Sequence, residues 1–307
     1  MIIIDNYSQN VLKSNNYVAL GSFDGLHKGH LSLINKAVEI AEKSNGKSMV
    51  FTFKNHPRSV INKDFSSNII MSNEKKAEIL KEEKVDILCF KDFDETFMKL
   101  TPKEFIQLLV EKYNVKGIIV GFNYKFGYRN LGNIKLLEEL KDLFNYKLYI
   151  MDKCLYKNDI ISSTRIRNAI LEGNFIEATE MLTRPYSLCG EVVHGRKIGR
   201  TIGFPTANLS INKNYILPKI GVYYTNIKVN NNVYKGITSV GNNPTVNGKK
   251  LTVETYILDF NEDIYGNFIE VSFIKKIRDE KKFNGLEELK NELEQDKNFA
   301  RNEKLYI

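Results

Sequence analysis

The periodicity of apolar residues changes once along the chain, and this change restricts the folds that the chain can adopt. From Ile2 to about Ile150, short apolar runs alternate with segments in which every third or fourth residue is apolar. This alternation predicts buried strands connected by amphipathic helices, and therefore an α/β domain with a doubly wound parallel sheet. The predicted strands are Val18–Leu20, Ser48–Phe53, Val85–Phe90, Gly117–Gly121 and Leu148–Ile150.

Helices are predicted between these strands and directly after them. Thr101 followed by Pro102 is typical of an N-cap and a first helical position. Two short helices, Thr164–Leu171 and Phe175–Leu182, are expected to complete this domain. The longer helices are predicted at Leu31–Glu42, Asn73–Glu82, Pro102–Tyr113 and Ile134–Phe144.

After Arg184 and Pro185 the pattern becomes one of strands separated by turns rich in Asn and Gly, which predicts an antiparallel β-domain. We place the boundary near Thr183, giving domains 1–183 and 184–307. The predicted strands are Ser187–Val193, Gly221–Val229, Val233–Val240, Leu251–Leu258 and Phe268–Lys275. The turn signals are Asn230-Asn231-Asn232, Asn247-Gly248 and Gly266-Asn267, and a final helix, Phe283–Leu293, carries Leu286, Leu289 and Leu293 on one face.

Composition excludes several classes of protein. The 307 residues are 42% hydrophobic and 27% charged, and no apolar run approaches the ~20 residues of a membrane span. The start lacks a secretory signal, which favours the cytoplasm. The formal charge of +8 comes from lysines mixed with acidic residues, as in KKAEILKEEK, so we interpret it as a solvated surface. The separated cysteines Cys89, Cys154 and Cys189 indicate packing residues.

The segment GSFDGLHKGH, Gly21 to His30, lies between a predicted strand and an amphipathic helix. Its glycines let the backbone approach a ligand, and the helix start attracts an anion. His27 and His30 are three residues apart, so both can project to one side and donate to one phosphate. Two surface histidines or half a zinc site are the alternatives. Because the chain lacks a GxxxxGK[ST] loop, attack at an α-phosphorus is favoured over γ-phosphoryl transfer.

Two polar residues follow other predicted strands. Asn123, in GFNYKFG, lies where open α/β sheets bind ligands, and it can contact substrate or metal. A loop amide that satisfies its own turn is the alternative. His56, in TFKNHP, can line a nucleotide or flavin pocket, or be a structural histidine beside a proline turn.

The segment ISSTRIR combines hydroxyl and basic side chains at a predicted helix start. Ser162, Ser163 and Thr164 can cap this helix, while Arg165 and Arg167 supply positive charge near phosphates. An ordinary capped helix would explain the hydroxyl groups well and the arginines less well.

In the β-domain, the segment GRKIGRTIGFPTAN, Gly195 to Asn208, has a glycine at every fourth position. Gly195, Gly199 and Gly203 alternate with Arg196, Lys197 and Arg200, so the backbone can wrap a polyphosphate; a plain β-turn is the alternative. Thr206 and Asn208 offer oxygen ligands of the kind that Mg²⁺ accepts beside phosphate and water.

The predicted strand LTVETYIL carries a carboxylate on one face. By the two-residue period, Glu254 shares that face with Tyr256 and Leu258. A glutamate on a half-solvated strand is the alternative to a functional acid.

Together these segments resemble the HxGH nucleotidyltransferase superfamily and, more closely, the family of bacterial bifunctional riboflavin kinases and FMN adenylyltransferases. GSFDGLHKGH, TFKNHP, GFNYKFGYRNLGN, ISSTRIR and PTAN stand in the family's order and span essentially the whole chain. The resemblance implies a parallel-sheet nucleotidyltransferase domain followed by a small antiparallel β-barrel with a C-terminal helix. It also implies that riboflavin becomes FMN at the barrel and FMN becomes FAD at the sheet, with ATP and Mg²⁺ in both reactions.

The resemblance assigns roles residue by residue. His27 and His30 would stabilise charge as the FMN phosphate attacks the α-phosphorus, and Glu254 would take the proton from the ribityl hydroxyl. The family often has His where Tyr256 stands, which leaves that residue without an assigned role. Flavin contacts fall on His56 and Arg278, and metal contacts on Thr206 and Asn208. The nucleotide-binding positions are Gly21, Phe23, Asp24, Gly29, Asn123, Ser163, Thr164, Arg165, Arg167, Gly195, Gly199, Arg200 and Gly203.

Two other functions compete with this interpretation. A single-activity adenylyltransferase for another mononucleotide or for phosphopantetheine would carry an inert barrel. A nucleic-acid-binding protein would need stacking aromatics beside a basic groove, for which Tyr223, Tyr224 and Tyr234 could be offered. We expect riboflavin, FMN and ATP as small-molecule partners, no nucleic acid, no membrane, and a monomer or weak oligomer.

Overall fold

The computed structural model describes residues 1–5, 12–61, 68–195, 198–245 and 248–306. The chain divides into two compact units, Met1–Ser163 and Thr164–Ile307. Within the described residues, no helix is both long and apolar enough to cross a bilayer.

A parallel sheet forms the centre of the N-terminal unit. Its six strands are β1 Ile2–Ile4, β2 Asn16–Leu20, β3 Lys47–Phe53, β4 Ile87–Lys91, β5 Val115–Gly121 and β6 Lys147–Met151. They pair in the order β1-β4-β3-β2-β5-β6, and every pair is parallel. The predicted parallel sheet is confirmed. Strand β1, which the sequence analysis missed, adds an edge at which Ile2 and Ile3 are exposed.

Six helices accompany this sheet in the described part of the chain, and capping side chains mark the start of five of them. They are α1 Lys28–Lys43, α2 Pro57–Ile61, α3 Asn73–Glu82, α4 Glu95–Met98, α5 Pro102–Tyr113 and α6 Ile134–Phe144. Thr101 and Glu104 form a reciprocal capping box at the start of α5. Asn114 and Asn145 end α5 and α6 in the left-handed conformation, which asparagine tolerates. A two-stranded hairpin, β7 Leu155–Tyr156 and β8 Asp159–Ile160, follows the sheet.

The strand order contains one reversal, and it lies between β2 and β5. After β2 the chain adds β3 and β4 on one side of it, whereas β5 and β6 are added on the other side. Connections that leave neighbouring strands in opposite directions open a crevice at the carboxyl ends of those strands. Gly21 follows β2 and Phe122 follows β5, so both predicted ligand segments begin at this crevice.

Two helices, α7 Ser163–Glu172 and α8 Phe175–Leu182, follow in the chain. Phe175 of α8 stacks on Phe273, with ring centroids 5.0 Å apart. From Thr164 onward these helices belong to the second compact unit. The domain boundary at residue 183 remains a prediction.

A closed antiparallel barrel forms the rest of the C-terminal unit. Its strands are β9 Tyr186–Val193, β10 Thr206–Ile211, β11 Gly221–Val229, β12 Asn232–Thr245, β13 Gly248–Ile257 and β14 Phe268–Arg278, with α9 Ile198–Thr201 before β10. The ring order is β10-β13-β12-β11-β14-β9. Strand β10 is not among the strands predicted from the sequence, and its pairing with β9 and β13 makes Thr206–Ile211 a strand of the barrel.

Some predicted features of this unit differ from the structure. The last helix, α10, spans Leu286–Asn302 and begins later than predicted. Leu286 was expected on its packing face, yet it is exposed at the helix start, whereas Asp296 and Ala300 are buried. Arg196, Lys197 and the turn residue Asn247 lie outside the described residues.

The core of the C-terminal unit is strongly aromatic. Tyr223, Tyr224 and Phe273 are fully buried, and the Tyr224 hydroxyl donates to the carbonyl of Lys304. Two of the tyrosines considered for nucleic-acid stacking are therefore core residues, which is their more usual role at strand spacing.

Candidate active sites

The loop from Gly21 to His27 leaves β2 at the crevice of the sheet and has an unusual backbone. Phe23 and Leu26 adopt φ values of 46° and 42°, and Gly25 adopts 84°. Positive φ costs free energy for residues with a side chain, so the surrounding structure must hold this loop. Such conformations often occur at ligand sites.

His27 is the N-cap of α1. Its Nδ1 accepts a hydrogen bond from the backbone N–H of His30 at 3.3 Å. A neutral imidazole that accepts at Nδ1 carries its proton at Nε2, so Nε2–H is the atom that can donate to a ligand. His27 is only 6% exposed, and its ring orientation is therefore fixed by packing as well as by the cap.

The two imidazoles lie on the same side of the helix start. Their ring centroids are 3.6 Å apart and their planes differ by 17°. Phe23 meets His30 edge to face at 5.2 Å. The three-residue spacing thus brings the rings together as predicted, beside the backbone N–H groups of the first helical turn. Their role in the reaction remains a prediction.

Gly29 leaves room for the His27 ring. A Cβ atom at this position would lie 3.3 Å from Cε1 and 3.4 Å from Nδ1 of His27. The shorter of these distances is tighter than most Cβ contacts, so a side chain here would displace the imidazole by a few tenths of an ångström.

We therefore expect Gly29→Ala to lower FAD formation about tenfold, because a misplacement below 1 Å weakens transition-state contacts. Riboflavin phosphorylation should be unchanged. Steady-state rates for both reactions of the purified variant check this, and an unchanged rate of FAD formation would show that the His27 ring needs no such room.

Several hydrogen bonds from other elements hold the loop between Gly21 and His27 in its strained conformation. The carboxylate of Asp24 accepts from the Ile70 N–H at 3.0 Å, and the Ser163 hydroxyl donates to the Asp24 carbonyl at 3.0 Å. Lys76 of α3 donates to the Ser22 carbonyl at 3.3 Å. Lys76 belongs to the segment interpreted as solvated surface, and for this residue that interpretation was wrong, since it is 5% exposed.

The remaining predicted nucleotide residues of the sheet and of α7 are placed as follows. Asn123 is exposed in the turn after β5, where the Tyr124 N–H bonds to the Gly121 carbonyl. Thr164 is exposed and Arg167 half-buried. Arg165 donates from Nε and Nη2 to Glu177, at 3.1 and 2.6 Å, so an ion pair already holds its guanidinium.

An aromatic cluster that was not predicted from the sequence lies at the carboxyl ends of β3 and β4. Phe53, Phe93 and Phe97 pack edge to face with centroids 5.1 to 5.9 Å apart, and all three are half-buried. Asn55 exchanges two hydrogen bonds with the backbone of Phe93, which ties the two strand ends together. His56 follows directly and is half-buried. The sequence signal for this cluster was Phe53 at the end of one predicted strand and Phe93 shortly after the end of another.

On the barrel, strand pairing sets the second group of predicted residues side by side. Asn208 of β10 pairs directly with Glu254 of β13, and Thr206 pairs with Tyr256. Directly paired residues project to the same face of a sheet, with Cβ atoms about 4.5 to 5.5 Å apart. The carboxylate, the amide and the hydroxyl therefore share one outer face of the barrel, while Val253 and Thr255 point inward and are buried.

A cavity of about 370 Å³ lies beside β10, and on β13 it is lined by Thr255 and Ile257, not by Glu254. The lining includes Gly195 and Arg200 of the glycine-rich segment, both predicted oxygen ligands, and the rings of Phe260 and Tyr265. It combines a cation, oxygen donors, aromatic surface and the acidic residues Glu262 and Asp263, a mixture of apolar and polar groups typical of small-molecule sites.

The three glycines of this segment are required for two reasons, close packing at Gly195 and Gly199 and backbone conformation at Gly203. A side chain at Gly195 would overlap the Asn208 amide, and one at Gly199 would overlap the Phe204 carbonyl. Gly203 has φ of 85°, in the left-handed region.

Arg278 lies in an ion-pair cluster with α10. Its Nη2 is 2.8 Å from Asp296, and its Nε is 3.1 Å from Glu292. These bonds join β14 to the helix, so the contact of Arg278 with flavin remains a prediction.

Comparisons with known proteins agree with this arrangement. A family model of FAD synthetase matches residues 9–165, and one of riboflavin kinase matches residues 182–304. The bifunctional riboflavin kinase/FMN adenylyltransferase of Listeria monocytogenes is 39% identical over 290 residues, which cover 94% of this chain and 92% of that protein. The Escherichia coli enzyme of the same name is 34% identical and covers 92% and 91%.

A solved structure resembles the whole chain as well. A Streptococcus pneumoniae protein, described as a macrolide-efflux protein, superposes with a TM-score of 0.90 at 35% identity, covering 99% of this chain and 100% of that one. The two family models match in the order that the motifs predict, and the bifunctional relatives span nearly the full length. The chain therefore belongs to the family of bifunctional riboflavin kinases/FMN adenylyltransferases.

Proposed function

We propose that the barrel phosphorylates riboflavin with ATP and that the sheet domain adenylylates the resulting FMN with a second ATP. One observation supports this most: each unit has its own chemical site, the stacked His27 and His30 in one and the paired Glu254 and Asn208 in the other. We also propose a boundary at residue 183 and a cytoplasmic location, where ATP is available to both reactions.

In the kinase reaction, Glu254 accepts the proton of the ribityl hydroxyl. The oxygen attacks the γ-phosphorus of ATP, the bond to the β-phosphate oxygen breaks, and ADP leaves. Thr206 Oγ1 and Asn208 Oδ1 are the hard oxygen donors that would hold Mg²⁺, which supplies neutralisation of phosphate charge when bound. The Gly195–Gly203 backbone and Arg200 would bind the polyphosphate.

In the adenylyl transfer, an oxygen of the FMN phosphate attacks the α-phosphorus of ATP and pyrophosphate leaves. The Nε2–H of His27, the His30 ring and the N–H groups at the start of α1 stabilise the charge that develops. No covalent intermediate with the protein is needed. The half-buried cluster of Phe53, Phe93 and Phe97 offers aromatic surface on which an isoalloxazine ring can stack, beside the predicted flavin contact His56.

Product analysis tests both activities at once. With riboflavin, ATP and Mg²⁺ the purified protein should form FMN and FAD, with one ADP for each FMN and one pyrophosphate for each FAD. Supplied FMN should yield FAD without ADP, and chelation of Mg²⁺ should stop both reactions. If FMN is adenylylated but riboflavin is not phosphorylated, the barrel is inert and the single-activity alternative is correct.

A further inference from the structure

The carbonyl of Ser22 receives hydrogen bonds from two different elements beneath the strained loop. The Thr52 hydroxyl, on β3, donates to it at 2.9 Å, and the Lys76 ammonium, on α3, donates at 3.3 Å. Thr52 is fully buried and Lys76 almost so. Ser22 directly precedes Phe23, the first residue of the loop with positive φ.

Burying Lys76 is costly, so its position calls for a physical reason. Loss of hydration lowers the pKa of its ammonium to about 8, although the Asp24 carboxylate favours the charged form. Phe90 of β4 adds the face of its ring, with Nζ 5.8 Å from the centroid. A methionine would fill the same space at a lower desolvation cost. What an apolar residue cannot supply is a charged donor to the Ser22 carbonyl.

A short series of contacts connects that carbonyl to the histidines. The Ser22 carbonyl belongs to the peptide group that joins Ser22 to Phe23, so its orientation fixes the direction in which the backbone reaches Phe23. The Phe23 ring packs so close to Gly21 that a Cβ there would lie 3.0 Å from Cζ. The same ring meets His30 edge to face, and His30 stacks on His27. A rotation of the Ser22 peptide would therefore displace Phe23 and, with it, the imidazoles.

We propose that Lys76 and Thr52 are positioning residues for adenylyl transfer, which hold the Ser22 carbonyl and so fix the loop that presents His27 and His30. This inference rests on the proposed function of the N-terminal site. Neither residue touches the reacting atoms. Their effect should appear in kcat more than in the KM for ATP, because a misplaced imidazole weakens transition-state contacts first.

The first test uses matched variants of Thr52. Thr52→Val keeps the shape and removes the hydroxyl, so kcat for FAD formation should fall roughly tenfold, as expected for one buried hydrogen bond. KM for ATP should change less than about twofold. Thr52→Ser keeps the donor and should restore most of kcat. Riboflavin phosphorylation by the same full-length variants reports on folding and should stay at the wild-type value.

The second test uses pH. In the wild type, kcat for FAD formation should fall as pH rises through about 8, because Lys76 loses its charge and donates more weakly. The groups that face it are Asp24 and Ser22 from the loop, Thr52 from β3 and Phe90 from β4. In Lys76→Met this decrease should be absent and kcat should be low at every pH.

Both tests can overturn the proposed positioning role of Lys76 and Thr52. Equal kcat in Thr52→Val and wild type, or equal loss in Thr52→Val and Thr52→Ser, would overturn the positioning role. So would an unchanged pH dependence in Lys76→Met. If Lys76→Met does not fold, the Thr52 pair still decides. A wild-type protein that makes no FAD from FMN would instead reject the proposed function itself.

Discussion

Replacing His30 with alanine is expected to lower FAD formation from FMN by about 10²- to 10³-fold, the usual cost of losing one donor to transition-state charge. Phosphorylation of riboflavin should continue at the wild-type rate, so FMN should accumulate. The substitution removes only the ring that stacks on His27, because alanine keeps the backbone N–H that bonds to His27 Nδ1. Chromatographic separation of riboflavin, FMN and FAD over time measures both steps in one reaction.

The matched control is Glu42→Ala, an exposed residue on the same helix, which should leave both rates unchanged. A folded His30→Ala variant that still makes FAD at more than a tenth of the wild-type rate would contradict the electrostatic role. Loss of both activities from a folded variant would show that the two sites are not separate.

The change Glu254→Gln is expected to lower riboflavin phosphorylation by about 10²- to 10⁴-fold, because the amide cannot accept the hydroxyl proton. Supplied FMN should still become FAD at the normal rate. The variant keeps the size of the side chain and the pairing with Asn208, so an effect on kcat reports on proton transfer. Single-turnover measurements with riboflavin and Mg-ATP separate this effect from binding.

The matched control is Glu287→Gln, the same substitution at an exposed position of α10. If Glu254→Gln phosphorylates riboflavin at a rate similar to that of the control, Glu254 is only a solvated strand residue. Together, His30→Ala and Glu254→Gln should complement each other in a mixture: the first supplies FMN and the second converts it to FAD.

Sequence reasoning succeeded where local signals determine structure. Helices α3, α5, α6 and α8 have the predicted ends, because capping residues such as Thr101 and Asn114 act within one turn. The histidine pair was also predictable, since residues three apart at a helix start must lie close together. Likewise, Glu254 and its partners on one strand face followed from the two-residue period.

The features it missed depend on distant parts of the chain. Lys76 looks like any other lysine in KKAEILKEEK, and its burial depends on residues distant in sequence, in the loop after β2 and on β4. Strand β10 was missed because its pairing partners are distant in sequence: Asn208 pairs with Val193, 15 residues before it, and with Glu254, 46 residues after it. The ion pairs of Arg165 and Arg278 depend on helices that neither motif contains.

Pairing on both sides of β13 has a consequence for how this enzyme can vary. A slip of one residue along the strand would turn Glu254 into the barrel and Val253 outward. Because β13 is bonded to β10 on one side and to β12 on the other, such a slip must break both ladders together. Insertions and deletions can therefore accumulate in the connecting loops. The hydrogen bonds that close the barrel still keep Glu254 opposite its partners on β10 and β12.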